Sequence, residues 1–427
     1  MKKLVDFVKK DNSQVLAGNL LASLFGLLNF MMMVRMTSKS DFGLIVIFLS
    51  AAGLTDLVRT GFVRQGLVRH WVTNNEGNKK PLIGSAWMLH ILIGSFIGLL
   101  CYTSLAISSS FSFDLEGFTA LIHNYPLLLL ASIPHQMESW LAQGKKKYLT
   151  MNMFRLGVNI LFFIALALNF GSVISVNQVI EYLIICNAVV SLVSLVYYKS
   201  IKEIVHTKWH QVVSLFNFGK YSLSTLAGSN LLKSTDTLLI GLMINSESAA
   251  VYAIPFKVIE LLEIPLRGFV MTSFHALTQS FKKNERDEYT RHFQTSVFRL
   301  SIAFLPIILI SLFLPGFVIE LLGGSNYGES IYVLQVLSFA MFLLPADKFA
   351  GMALDSNNQP KVNAQKVWIM VIINLIGDLV VISLNGSLWM IATVTILNIL
   401  FGVCYGILKN NFLRFSNQIK WSQLLHI

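Results

Sequence analysis

The chain has 427 residues, of which 54% are apolar or aromatic and only 13% are charged. An ordinary soluble domain carries roughly 25% charged residues, so too little charge is present to cover a soluble fold of this length. The net charge of +11 would suggest nucleic acid in a soluble protein, but no nucleic-acid partner is expected here, because the basic residues follow a membrane topology.

Apolar runs of about 20 residues, the length that crosses a bilayer as a helix, predict an all-α polytopic membrane protein. Twelve spans are expected, near 14–34, 42–60, 82–106, 118–140, 150–168, 176–198, 217–243, 249–272, 295–314, 330–352, 364–384 and 387–408. The first is preceded by Lys2, Lys3, Lys9 and Lys10 and followed by no small-residue cleavage site, so it reads as a retained helix. With both termini cytoplasmic, most of the 33 Lys and Arg residues fall on the inner side, as the positive-inside rule requires. They include Arg64, Lys145, Lys282, Lys348, Arg414 and Lys420. Of the outer connections, only that holding Arg35 and Lys39 is basic.

The connections are short, so no extramembrane domain is expected. The chain lacks a P-loop, G-x-G-x-x-G, H-E-x-x-H and G-x-S-x-G. Cys101, Cys186 and Cys404 each stand alone in an apolar run, without a disulfide framework or metal-ligand spacing. No enzyme activity, catalytic residue, cofactor or metal is expected, and His90 and His135 read as packed or cavity-lining.

The two halves repeat each other. Ala17-Gly18-Asn19-Leu20-Leu21 before Ser23 matches Gly228-Ser229-Asn230-Leu231-Leu232 before Ser234. Arg59-Thr60-Gly61-Phe62-Val63 matches Arg267-Gly268-Phe269-Val270, Pro134 and Ala142 match Pro345 and Ala353, and Asn159 matches Asn374. Six spans per half keep both halves in one orientation. The expected lobes are residues 1–208 and 209–427, parallel repeats with a substrate site between them, which is a transporter design.

Ionisable residues inside spans avoid lipid and mark cavities, partners or pathways. Span 7 is the most polar, with Ser222, Ser224, Thr225, Ser229, Asn230, Ser234, Thr235 and Thr237 beside Lys233 and Asp236. Span 8 carries Lys257, Glu260, Glu263 and Arg267, the last three on one helical face. Span 2 ends with Asp56 and Arg59, and Arg35 closes span 1. A bland reading stands beside the functional one. Lys233 with Asp236, and Glu263 with Arg267, fit neutralised pairs that hold helices together, while Arg35 and Arg59 fit interfacial anchors. Asp378 and Glu138 read as polar contacts between helices.

The segment Val34-Arg35-Met36-Thr37-Ser38-Lys39-Ser40-Asp41-Phe42-Gly43-Leu44 resembles the R-x-L-x-x-x-D/E-F-G junction of Wzx-type polysaccharide flippases. These belong to the MOP (multidrug/oligosaccharidyl-lipid/polysaccharide) superfamily. Ser234-Thr235-Asp236-Thr237-Leu238-Leu239-Ile240-Gly241 followed by Ala249-Ala250-Val251-Tyr252-Ala253 is similar to that family's D-x-x-x-I-G … A-x-x-Y stretch. Leu321-Leu322-Gly323-Gly324 with Tyr327 and Gly328 matches its L-x-G-x-x-Y loop. The resemblance covers most of the chain in matching order. Two departures stand out: Glu260 and Glu263 dilute the cationic character of some members, and lipid II flippases of the superfamily typically have fourteen spans.

The resemblance implies two six-helix bundles, with spans 1, 2, 7 and 8 lining a central cavity. It also implies a flippase that turns undecaprenyl-pyrophosphate-linked oligosaccharide, such as an O-antigen or capsule repeat unit, from the cytoplasmic to the outer leaflet of a bacterial inner membrane. Its implied partners are that lipid-linked substrate, membrane lipids, and a polysaccharide polymerase with its chain-length machinery. On this reading Arg35, Arg59, Lys233, Lys257 and Arg267 are the candidate pyrophosphate and cavity residues, because guanidinium and ammonium groups suit phosphate. Asp56, Asp236, Glu260 and Glu263 are the candidate ion-coupling or cavity acids. Tyr221, Tyr252, Trp87 and Trp140 are candidate glycan contacts. The rivals are a MATE-type small-molecule exporter and a polytopic O-antigen polymerase or ligase.

Overall fold

The computed structural model describes residues 11–73, 79–111 and 119–413. Lys2, Lys3, Lys9, Lys10, Arg414 and Lys420 lie outside the described residues, as do the side chains of Tyr221, Ser222, Ser224 and Thr225. Helices account for almost the whole of what is described, and no strand occurs among those residues. The long helices are α1 (Asp11–Met36), α2 (Lys39–Arg59), α4 (Lys80–Phe111), α5 (Thr119–Gly144), α6 (Tyr148–Leu168) and α7 (Val176–Tyr198). They continue with α8 (Trp209–Met243), α9 (Ser246–Lys282), α10 (Arg286–Phe313), α12 (Ser330–Ser356), α13 (Pro360–Ser383) and α14 (Leu388–Lys409). Each of the twelve expected spans corresponds to one of these. Two short α-helices, α3 (Gln65–Thr73), joined to α2 by a π turn at Thr60–Arg64, and α11 (Pro315–Gly323), and two 3-10 turns at Ser200–His206 and Ser325–Tyr327 complete the order.

Nine membrane-crossing candidates, by length and composition, occur among the described residues. The three long helices outside that set are α5, with Pro126 and Pro134 inside it, and the charged α8 and α9. Large apolar side chains such as Phe96, Leu99, Leu192, Val196, Phe313 and Ile376 are exposed, as lipid contact requires. The protein is a multi-pass membrane protein.

Local chemistry sets the helix starts. Ser38 caps α2 by accepting from the Asp41 amide at 3.0 Å, with the Asp41 carboxylate in the first turn. Phe42 is fully buried, edge-on to Phe30 at 5.3 Å. The Ser-x-x-Asp-Phe part of the junction motif is thus a helix start and its anchor. Ser175 and Gln178 form a capping box on α7, and Asn245 caps α9 through the Ser248 amide at 2.8 Å.

The chain divides into two compact units between Asn230 and Leu231, inside α8, and not in the connection before it at 208. The first half of α8 packs on the α2–α3 region of unit 1. Phe216 stacks on Phe62 at 4.6 Å, and Gly66 admits Leu215 so closely that a Cβ there would meet its side chain at 2.9 Å.

In unit 1, α5 packs against α7, α4 against α5, and α1 against α6, where Asn29 donates to the Asn159 carbonyl at 3.0 Å. Unit 2 repeats the scheme. There α12 packs against α14 and α10 against α12, while Asp236 of α8 accepts from Asn374 of α13 at 2.6 Å. The repeat-matched Asn159 and Asn374 thus join equivalent helix pairs in the two units. The α12–α14 contact is a backbone approach, in which a Cβ on Gly406 would lie 2.7 Å from the Ala350 Cβ. Gly406→Val is expected to cost about 1–3 kcal/mol through overpacking, read as a lowered melting temperature of the purified protein.

Candidate functional site

In unit 1, Arg59 stands at the end of α2 and is only 2% exposed. Its guanidinium is turned into the helix bundle, where it pairs with Asp56 and donates to Ser132 Oγ at 3.0 Å and to the Leu129 carbonyl at 3.5 Å. The half-exposed Asp56 is therefore the partner of this arginine. Arg35 is exposed at the end of α1. Both histidines of unit 1's interior are buried: His135 meets Ser191 Oγ at 3.0 Å through Nδ1, and His90 packs on Trp140 at 4.7 Å. Glu138 accepts from Ser200, which in turn accepts from Trp87 Nε1 at 2.9 Å. Trp87 and Trp140 are buried, so the glycan-contact expectation for them is corrected: both belong to the packed interior of unit 1.

Two clusters organise the charged residues of unit 2. The first centres on Glu263 of α9, whose side chain is 8% exposed. Oε2 receives Lys233 of α8 and, at 3.0 Å, Arg267 one turn along α9. Oε1 receives Lys348 of α12 at 3.2 Å. One sunken carboxylate thus holds three cations from three helices, and the Arg267 side chain is 72% exposed. The sequence expectation paired Lys233 with Asp236; the structure corrects this, because Lys233 is taken by Glu263 while Asp236 is held by Tyr252, Thr395 and Asn374. Glu260 also separates from its expected companions. It faces outward and pairs with Lys257 at 2.7 Å, one turn back on the same helix. Arg59 and Arg267 share a position in the repeat but not an environment, one buried and one open.

The second cluster surrounds Asp236, which is 2% exposed. Its Oδ2 accepts from Tyr252 at 2.6 Å and from Thr395 at 3.0 Å, and its Oδ1 accepts from Asn374 Nδ2 at 2.6 Å. The same amide reaches Asp378 Oδ2 at 3.0 Å, and Asn398 donates to Asn374 Oδ1 at 3.1 Å. Asp378 is fully buried, and its Oδ1, like Asn398 Oδ1, has no hydrogen-bond donor among the described residues. Two carboxylates bridged by one amide, with orphaned oxygen acceptors beside them, need either a shared proton or a bound hard cation, since buried like charges without compensation are very costly. Among the described residues no group of three or more His, Cys, Asp or Glu suits a metal ion.

Asp378, Thr395, Asn398 and Lys348 are the residues that sequence reasoning missed as site members. Tyr252, expected at a glycan, is fully buried against Asp236 and is likewise corrected. The motif stretch around it is packing: Ala249, Ala250, Val251 and Tyr252 are all fully buried. Outside the spans, burial and then the nearby Glu247 push the Tyr327 phenol up to about 12, so this motif tyrosine stays neutral.

The sequence profile described as "Polysaccharide biosynthesis protein" matches residues 32–334. The "Probable low-salt glycan biosynthesis flippase Agl15" of Haloferax volcanii is 24% identical over 173 residues, 40% of this chain. The match spans only 37% of that relative's length. Among solved structures, an inward-facing multidrug resistance MATE family transporter of the MOP superfamily superposes with a TM-score of 0.75 at 11% identity. That match covers 96% of this chain and 100% of the other. The lipid II flippase MurJ, in an inward closed conformation, follows at a TM-score of 0.69 and 14% identity, covering 92% and 86%. The profile spans most of the sequence and the structural likeness most of the fold, so the chain belongs to the polysaccharide biosynthesis protein family and has the fold of MOP-superfamily transporters.

Proposed function

We propose that the protein is a flippase for undecaprenyl-pyrophosphate-linked oligosaccharide, carrying it from the cytoplasmic to the outer leaflet of the bacterial inner membrane by alternating access. The observation that carries the reading is the cationic cluster of Lys233, Arg267 and Lys348 around one carboxylate. Cations inside a membrane protein are retained where they meet an anion or line a watery path, and the substrates of polysaccharide assembly at membranes are sugars on anionic lipids. Arg35 and Lys257 are accessory cations on this reading, while Arg59 supports the bundle from within. The inner excess of Lys and Arg in the sequence supports cytoplasmic termini. A polymerase and chain-length machinery would take the product at the outer face.

The coupling-ion site of this proposal is the Asp236–Asp378 pair. Of the four candidate acids, Asp56, Glu260 and Glu263 each have a basic partner, which leaves Asp236 as the one whose described partners are all uncharged or acidic.

The deciding experiment is deletion of the gene in its own host. Lipid-linked oligosaccharide is expected to accumulate and to stay protected, in spheroplasts, from a membrane-impermeant glycan oxidant. Accumulation that the oxidant reaches would move the missing step to polymerisation or ligation and overturn the flippase reading.

A further inference from the structure

The cluster around Glu263 contains a feature that a simple phosphate grip does not need. A site built only to attract an anion would leave its cations open; here a buried carboxylate already occupies their centre. Glu263 takes one donor from each of Lys233, Arg267 and Lys348. An ammonium has three donors and a guanidinium five, so every cation keeps donors for a second anion. The carboxylate lies deeper than its cations, at 8% exposure against 28% for Lys233, 38% for Lys348 and 72% for Arg267. A ligand arriving from outside meets the cations first.

Three positive charges and one negative leave +2. A pyrophosphate linked at both ends, to a lipid on one side and a sugar on the other, carries two negative charges at neutral pH. A singly phosphorylated lipid-linked sugar carries one. We propose that Glu263 is a resident counter-anion that sets this site to the charge a pyrophosphate diester neutralises, and that keeps the three cations gathered when the site is empty. This inference rests on the flippase reading above and extends it to the linkage of the substrate.

Two physical consequences follow from the geometry. Without Glu263, three cations from α8, α9 and α12 would repel one another with no anion between them, so the empty site would spread or trap whatever anion it met. With Glu263, an incoming dianion competes with a carboxylate for the same field, and release remains fast. Each cation favours a dianion over a monoanion by one additional unit of Coulomb attraction. Neutralising one of them therefore narrows the preference for pyrophosphate, and neutralising Glu263 widens it.

The test uses the full chain purified in detergent and two short-chain probes, citronellyl-pyrophosphoryl-N-acetylglucosamine and citronellyl-phosphoryl-N-acetylglucosamine. The wild type is expected to favour the pyrophosphate probe. Glu263→Gln should bind it about tenfold more tightly, which is about 1.4 kcal/mol, and release it more slowly, whereas Lys348→Gln should weaken it and shrink the ratio between probes. Should Glu263→Gln fail to fold, comparing Lys348→Gln with the double variant E263Q/K348Q asks the same question at a net charge no higher than wild type; the double variant is expected to bind more tightly. If Arg267→Ala weakens binding but removing Glu263 leaves it unchanged or weaker, the counter-anion role is overturned and the flippase reading stands. If folded wild type and Glu263→Gln both ignore the pyrophosphate probe, the phosphate grip itself is wrong, and this inference falls with it.

Discussion

Replacing Asp236 or Asp378 by asparagine is expected to abolish ion-driven transport while leaving a folded, monodisperse protein. Asparagine keeps the shape and one acceptor of each carboxyl but removes the charge that a proton or cation would answer. A unit charge about 4 Å away is worth about 4 kcal/mol at an effective dielectric of 20, or roughly a thousandfold in affinity for the ion. In Asp236→Asn the remaining carbonyl oxygen can keep the Asn374 amide as its donor, while the new NH2 faces the Tyr252 and Thr395 hydroxyls, which can turn to accept, so packing around it should survive. The check has two parts. In the deletion host, each variant should fail to relieve the protected accumulation of lipid-linked oligosaccharide. In detergent, the wild-type melting temperature should respond to sodium concentration or to acidification, because a ligand that binds only the folded state stabilises it by mass action, and the Asp378→Asn melting temperature should respond to neither. Collapsing the proton and sodium gradients one at a time in cells then tells which ion is used. Wild-type transport by both variants would remove the pair from the mechanism.

What hydropathy could read is the set of helices, because a span must satisfy its backbone internally and bury or wet every side chain along some 20 residues. It underestimates their lengths. The helix from Trp209 to Met243 starts well before its apolar stretch, and that from Ser246 to Lys282 runs well past it, since polar residues outside the hydrocarbon continue a helix at no cost. One pair a single turn apart was also legible: Glu263 with Arg267 follows from spacing alone. Partners across helices were not. Lys348 sits in a different helix from Glu263, and nothing in its own neighbourhood marks it. Asp378 looks like an isolated polar residue until Asn374, one turn before it, is seen joining it to Asp236. The internal repeat predicts which helices pack, as Asn159 and Asn374 demonstrate, but equates backbone positions only. It matched Arg59 to Arg267, and the side chains face opposite fates because α5 supplies Ser132 and the Leu129 carbonyl to one while Glu263 leaves the other at an open surface.

That difference produces a second large effect, opposite in kind for two arginines the sequence makes equivalent. Arg59→Ala is expected to lose folded protein. It empties a buried volume, leaves the Asp56 carboxylate without its cation and strips Ser132 Oγ of a donor. Breaking a fully buried pair costs about 3–5 kcal/mol, and with Asp56 half-exposed the cost here is about 2–4 kcal/mol, a large share of the roughly 5–15 kcal/mol that holds a typical domain together. Arg267→Ala touches little of the core, since the side chain is 72% exposed and shares Glu263 with two lysines. Its expected result is normal yield with transport reduced about tenfold to a hundredfold, the equivalent of the roughly 1.5–3 kcal/mol carried by a hydrogen bond to a charged group. Arg267→Lys should recover part of the loss, because charge remains while the planar fork that matches a phosphate is gone. Yield and melting temperature, measured beside transport, separate the two arginines. An Arg59→Ala protein as stable as wild type but inactive would return Arg59 to the substrate's path, and an unstable Arg267→Ala would make the Glu263 cluster a tie between helices instead of a seat for an anion.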